Sequence, residues 1–254
     1  MADRDQGRPR PDAGRPPPRD RGAPPPPPRD GAPPPPPPED ASVPTAPEPP
    51  PDSDGPSVGE LVINEVDYNQ PGEDHGEFIE LLVTADRVIS LEGIRVELFS
   101  ASDSARVRCA GFAPAPDGPS RYGCAELPPE IVQPGDYIVL TAQGEGPAVP
   151  PGTLRLELLG RNPGSGVIEN STEGVLLINR YGRVLDGFAY EGEVPGVGEG
   201  LPPNDDDSDS NAEEGVRRPE HAFGRCPDGR DTNDNATDFL LLTPPTAGFD
   251  NACP

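Results

Sequence analysis

The chain has 254 residues, among them 41 prolines, 30 glycines and no tryptophan, and its formal charge is −25. A surface this acidic repels phosphate backbones and anionic lipid, which argues against a nucleic-acid-binding role and leaves cations, basic partners or plain solubility. No run approaches the ~20 apolar residues of a membrane-spanning helix, and the opening Met1-Ala2-Asp3-Arg4 begins no apolar signal segment.

The acidity is unevenly placed. Residues 1–56 hold 22 prolines and a net charge of only −3, whereas residues 57–254 carry −22. Prolines 24–28 and 33–38 form two unbroken runs, and such runs adopt extended polyproline II at about 3.1 Å per residue. No apolar cluster interrupts them, so residues 1–56 are expected to be a disordered proline-rich linker. A semi-rigid spacer is the reading adopted; a ligand for SH3-like domains is the weaker one. Residues 57–254 are enough for one sizeable domain.

From residue 58 the chain reads as short strands between Gly/Pro turns. Residues 61–66 (LVINEV) and 77–83 (EFIELLV) have the β-branched content of strands, with Pro71 and Gly72 supplying turn chemistry between them. Within 88–99, Ile94, Val96 and Leu98 alternate with Arg95 and Glu97, placing the apolar set on one face. Two poorer strands follow at 105–112 and 120–127, each with a cysteine, and then a strand at 137–141 (YIVLT). Leucines 154, 156 and 158 mark another, and 174–179 and 183–190 form a hairpin through Arg180-Tyr181-Gly182. Many short strands without 3.6-residue periodicity predict an all-β sandwich or barrel. Residues 191–220, with Gly/Pro turns and an acidic run at 204–210, are expected to form a solvated, mobile loop.

Three constellations carry candidate chemistry. Cys109, Cys124, Cys226 and Cys253 form an even set without Cys-x-x-Cys spacing, which favours disulfides over zinc. Local pairing would give Cys109–Cys124 and Cys226–Cys253, one of three arrangements. Asp228, Asp231, Asn233, Asp234, Asn235 and Asp238 form a dense oxygen cluster that could serve calcium. The EF-hand order is absent, and turns capped by the same side chains are the competing reading. Finally, Glu65, Glu77 and Glu80 gather near one hairpin with Asp67, Asp74 and His75. A general acid–base pair is one use for them; hydrogen bonding of loop backbone is the other and the preferred one. No Gly-x-Ser-x-Gly is present, and His75 and His221 are the only histidines, which argues against a serine nucleophile.

Taken together, three stretches resemble the bacterial lamin tail domain over residues 59–252, with long insertions. They are Ile63-Asn64-Glu65-Val66 with Gly76-Glu77-Phe78-Ile79-Glu80-Leu81, the turn Leu91-Glu92-Gly93-Ile94, and the close from Gly224-Arg225-Cys226-Pro227-Asp228-Gly229 to Pro245-Thr246-Ala247-Gly248 and Asn251. Ile94 stands where the family usually has an aromatic residue, and Ala247 replaces a proline. The resemblance implies an immunoglobulin-like β-sandwich and a module of secreted or surface-attached bacterial proteins. The expectation is a non-catalytic extracytoplasmic binding or scaffolding module on a proline-rich spacer, without a cofactor, whose partner is a protein or cell-surface component. A calcium-dependent secreted hydrolase or its accessory module is the alternative. Such a protein requires export, so the true start is expected upstream of Met1, with a lipid anchor as one outcome.

Overall fold

A computed structural model of the chain describes residues 55–69, 76–101, 119–141, 146–160, 168–200, 202 and 220–254. The strands in order are β1 (Leu61–Asp67), β2 (Phe78–Val83), β3 (Ile89–Ser90), β4 (Arg95–Ser100), β5 (Ser120–Glu126), β6 (Ile131–Val132), β7 (Tyr137–Thr141), β8 (Leu154–Glu157), β9 (Leu159–Gly160), β10 (Glu173–Ile178), β11 (Val184–Tyr190), β12 (Ala222–Arg225) and β13 (Phe239–Leu242). A single helical turn, α1 (Asn235–Asp238), precedes β13. Two main sheets form, β13-β12-β1-β2-β7-β8 and β11-β10-β4-β5-β9, with β3 and β6 as a small third pair. Every pairing is antiparallel except β7 with β8. The result is an all-β, immunoglobulin-like sandwich, as expected from the sequence.

Period-two alternation builds the core between the sheets. Leu61, Ile63, Ile79, Leu81, Ile138 and Leu140 of the first sheet meet Val96, Leu98, Val175, Leu177, Leu185 and Phe188 of the second. Burial of each such side chain is worth roughly 1.5–3 kcal/mol. The turn at residues 91–94 closes through Ile94 N–H to Leu91 O at 3.0 Å. Gly93 has φ +74° there, and an added Cβ would lie 2.6 Å from Arg180 Cβ, so both conformation and space require glycine.

The outer faces are covered as well, which explains why β1, β2 and β10 are buried along their whole length. Over the second sheet, Val194 and Val197 pack on Phe99, Leu176, Ile178 and Ala189. Residues 191–200 therefore depart from the expected solvated loop, because their two valines cap an apolar outer face; the acidic run 204–210 lies outside the described residues. Over the first sheet, Phe78, Val139 and Ala222 are covered by Ala247 of a C-terminal strap, residues 243–253, with Val149 alongside. Arg95 and Glu97 do face away from the core, yet Glu97 is buried against Arg121 at 2.6 Å and Arg95 at 3.5 Å. The expected strand at 105–112 lies outside the described residues.

Candidate functional site

A slip in register on β1 creates the first polar centre. β1 and β2 pair Ile63 with Leu81 and then Glu65 with Glu80, leaving Asn64 as the extra residue of a bulge. Ile63 and Val66 stay in the core, while Asn64 and Glu65 both join Glu80 on the outer face. There the strap descends on them. Thr246 N–H donates to Glu65 Oε1 at 2.8 Å, and Gly248 N–H donates to Glu80 Oε2. Asn64 Nδ2 donates to Glu80 Oε1 at 2.9 Å and Asp228 Oδ1 at 3.2 Å, while its Oδ1 accepts from Gly229 N–H at 2.9 Å. Asn251 N–H donates to both Asp228 oxygens at 3.1 Å, and its Nδ2 donates to Arg225 O at 2.8 Å. The disulfide Cys226–Cys253 ties the end of the strap to the residue after β12.

Burial, with no cation among the described residues, sets the electrostatics of this clasp. Desolvation pushes Glu65 up to about 7, the Thr246 hydrogen bonds opposing it and Asp228 adding to it. Glu80 is pushed up to about 8, also by burial first, with Asn64 and Gly248 opposing and Glu65 and Asp228 adding. Both carboxyl groups are held from two sides by named donors.

The second polar centre lies across the same strand and is organised on Arg225, which is fully buried. Its Nε donates to Ile63 O at 2.8 Å, Nη2 forks onto both Asp186 oxygens at 3.1 and 2.9 Å, and Nη1 reaches Asp238 Oδ2 at 3.2 Å and Arg230 O at 2.6 Å. The guanidinium lies 4.7 Å from the Phe239 ring centroid. Asp186 also accepts from Ile63 N–H at 2.7 Å, so Ile63, the residue just before the bulge, has both its backbone groups bound by this ion pair. Burial raises Asp186 to about 6 against the pull of Arg225. Glu199 is raised to about 7, by burial and then by Asp186 and Asp231.

A third group lies at Glu173, where Tyr190 Oη sits 3.0 Å from Glu169 O and 3.3 Å from Glu173 Oε2. Burial lifts Glu173 to about 7 and both Tyr122 and Tyr190 well above the ordinary phenol range. Glu77 is placed here, accepting from Ile168 N–H at 3.3 Å, and is thus separated in role from Glu65 and Glu80. Asp67 is buried, and Asp74 and His75 lie outside the described residues.

The six oxygen-bearing residues expected as a calcium cluster have separate roles. Asp228 belongs to the clasp. Asp231 accepts from Asn233 N–H at 3.1 Å and sits 3.6 Å from Arg225, and Asn233 takes φ +59°. Asp234 caps α1, accepting from Ala236 N–H and Thr237 Oγ1. Asn235 donates to Gly187 O at 3.0 Å, and Asp238 accepts from Thr232, Arg225 and Arg230. Among the described residues, no group of three or more His, Cys, Asp or Glu is arranged to hold a metal ion. Cys124 is disulfide-bonded, while Cys109 lies outside the described residues. Asp186 was missed by sequence reasoning, and Arg225 was named there only as part of the 224–229 signature, without a role; an arginine after an apolar Ala-Phe-Gly stretch was the available signal.

The lamin tail domain family model matches residues 55–192. No curated protein matches the chain. Among solved structures, it is similar to a DUF4876 family protein from Bacteroides thetaiotaomicron VPI-5482, with 12% identity, a TM-score of 0.44, and coverage of 72% of this chain and 71% of that one. The matched span ends before β12 and β13, which complete the first sheet in the structure, and before the strap that covers its outer face.

Proposed function

The chain belongs to the lamin tail domain family, and on that premise we propose a non-catalytic recognition or scaffolding module that works outside the cytoplasm on a proline-rich spacer. The observation that carries this reading is the use made of its acids. Glu65 and Glu80, the best candidates for a general acid–base pair, each have both oxygens within hydrogen-bonding distance of strap or bulge groups. Their chemistry holds the fold closed. The Cys226–Cys253 disulfide supports an oxidising compartment.

The partner is a protein or cell-surface component, and the net −22 of residues 57–254 favours one with a basic face. Protein purified from its native cell tests the location. Its intact mass should rise on reduction by the hydrogens of all four thiols, with any lipid adduct visible in the same spectrum. Four free thiols before reduction would overturn the reading.

A further inference from the structure

We infer that Glu65 carries a proton in the folded protein and donates it to Thr246, making the C-terminal strap a latch that opens as pH rises. The inference follows from counting hydrogens. Thr246 Oγ1 lies 2.9 Å from Glu65 Oε2 and 2.9 Å from Asn251 Oδ1. A threonine hydroxyl has one hydrogen and cannot donate to both.

Asn251 cannot supply the missing donor. Its Nδ2 is fixed by two carbonyls, Arg225 O at 2.8 Å and Asn64 O at 3.4 Å; reversing the amide would set oxygen against oxygen there. Asn251 Oδ1 therefore accepts, and Thr246 Oγ1–H points to it. The remaining contact is closed by a hydrogen on Glu65 Oε2, while Glu65 Oε1 accepts Thr246 N–H. Glu80 differs on this count, since its two oxygens face the N–H donors Asn64 Nδ2 and Gly248 N. It needs no proton to satisfy them.

The surroundings favour the neutral acid. Among the described residues, the titratable groups facing the site are Glu80 on β2, Asp228 after β12, Tyr137 on β7 and Asp250 on the strap, where Tyr137 Oη lies 2.8 Å from Asp228 and 3.0 Å from Asp250. Arg225, on neighbouring β12, is engaged by Asp186 and Asp238. When Glu65 loses its proton to solvent, Thr246 must abandon either Glu65 or Asn251. The strap then loosens over Phe78, Val139 and Ala222, while Cys226–Cys253 keeps it tethered.

Two isosteric substitutions on adjacent strands should have opposite effects. In Glu65→Gln, Oε1 replaces one acceptor and Nε2 supplies the donor that Thr246 Oγ1 needs. In Glu80→Gln, Nε2 meets another N–H donor in either orientation. Denaturation midpoints of the full, disulfide-intact chain would be measured between pH 5 and 9, with the Glu65 carboxyl carbon followed by NMR. Glu65→Gln is expected to match wild type at pH 5, exceed it at pH 8.5 and flatten the pH dependence, and Glu80→Gln to lie below wild type at pH 8.5. Exchange of the Thr246 and Gly248 amides should rise with pH in wild type beyond the intrinsic rate increase, and less steeply in Glu65→Gln, most clearly at Thr246, since Glu80 still titrates beside Gly248. Destabilisation by Glu65→Gln at both pH values, or a Glu65 carboxyl that titrates like an ordinary exposed one, would overturn the proposal. The NMR titration is read on wild-type protein and decides the matter even if a variant fails to fold.

Discussion

The two polar centres that flank β1 handle buried charge in opposite ways. Around Arg225, carboxylates are matched by a guanidinium whose donors all find oxygens. Around Glu65 and Glu80, the carboxyl groups have N–H and O–H donors and, among the described residues, no cation, so burial drives them toward the neutral form. Each centre is vulnerable at a different point. The first depends on keeping its cation, and the second on keeping a proton.

The sharpest way to break the comparison is to remove the cation. Arg225→Met keeps much of the side-chain volume over Phe239 but leaves Asp186 buried without its cation and Asp238 with Arg230 alone. The expected loss is about 3–5 kcal/mol by chemical denaturation, a large fraction of the roughly 5–15 kcal/mol that holds an ordinary domain folded. A loss below about 1 kcal/mol would mean that the carboxylates have taken up protons instead, erasing the distinction between the centres.

Reduction attacks the second centre from its tether. Cys226 and Cys253 are 27 residues apart, and opening a loop of that length costs roughly 3 kcal/mol. Cys253→Ser should lower the melting temperature and raise amide exchange at Thr246 and Gly248 more than along β12.

The pH dependence is the next largest effect. Glu65 and Glu80 have folded pKa values of about 7 and about 8, above the ordinary 4.5. Their contribution to stability is therefore complete below about pH 4.5 and is lost as pH climbs through 7 and 8. The pair titrates jointly; one carboxyl lifted from 4.5 to about 7, as at Glu65, by itself loses on the order of 2–3 kcal/mol between pH 5 and 8.5. Denaturant midpoints that rise with pH over this window would contradict the assignment.

Much of the fold was legible in the chain and the centres were not. β4, β7, β10 and β11 follow from local alternation or β-branched content, which needs no distant partner. β12 and β13 carry no such pattern; Ala222-Phe223-Gly224-Arg225 becomes a strand because β1 and β13 offer it ladders on both sides. The clasp joins residues 181 positions apart at Glu65 and Thr246, a distance over which sequence periodicity says nothing. Yet the signs were present. The motif stretches at 63–65, 77–80, 224–229 and 245–251 read as separate signatures, and in the structure Asn64, Glu65, Glu80, Asp228, Thr246, Gly248 and Asn251 are bonded to one another. The loop 191–200 was misread because two valines among glycines give no period, although they suffice to cover an outer face.

The smallest expected effect concerns calcium and separates local turn chemistry from ion binding. Asp228, Asp231, Asp234 and Asp238 already accept from Asn251, Asn233, Ala236 and Thr232 backbone N–H groups. Calcium needs 6–8 oxygens converging at 2.3–2.6 Å, and drawing these four together would break α1's cap and the Arg225 centre in one step. Millimolar calcium against chelator should leave the melting temperature unchanged within error. A rise with calcium that Asp234→Ser leaves intact and Asp228→Asn removes would place the ion at the clasp, where it would supply the cation that Glu65 and Glu80 lack and make the two centres alike.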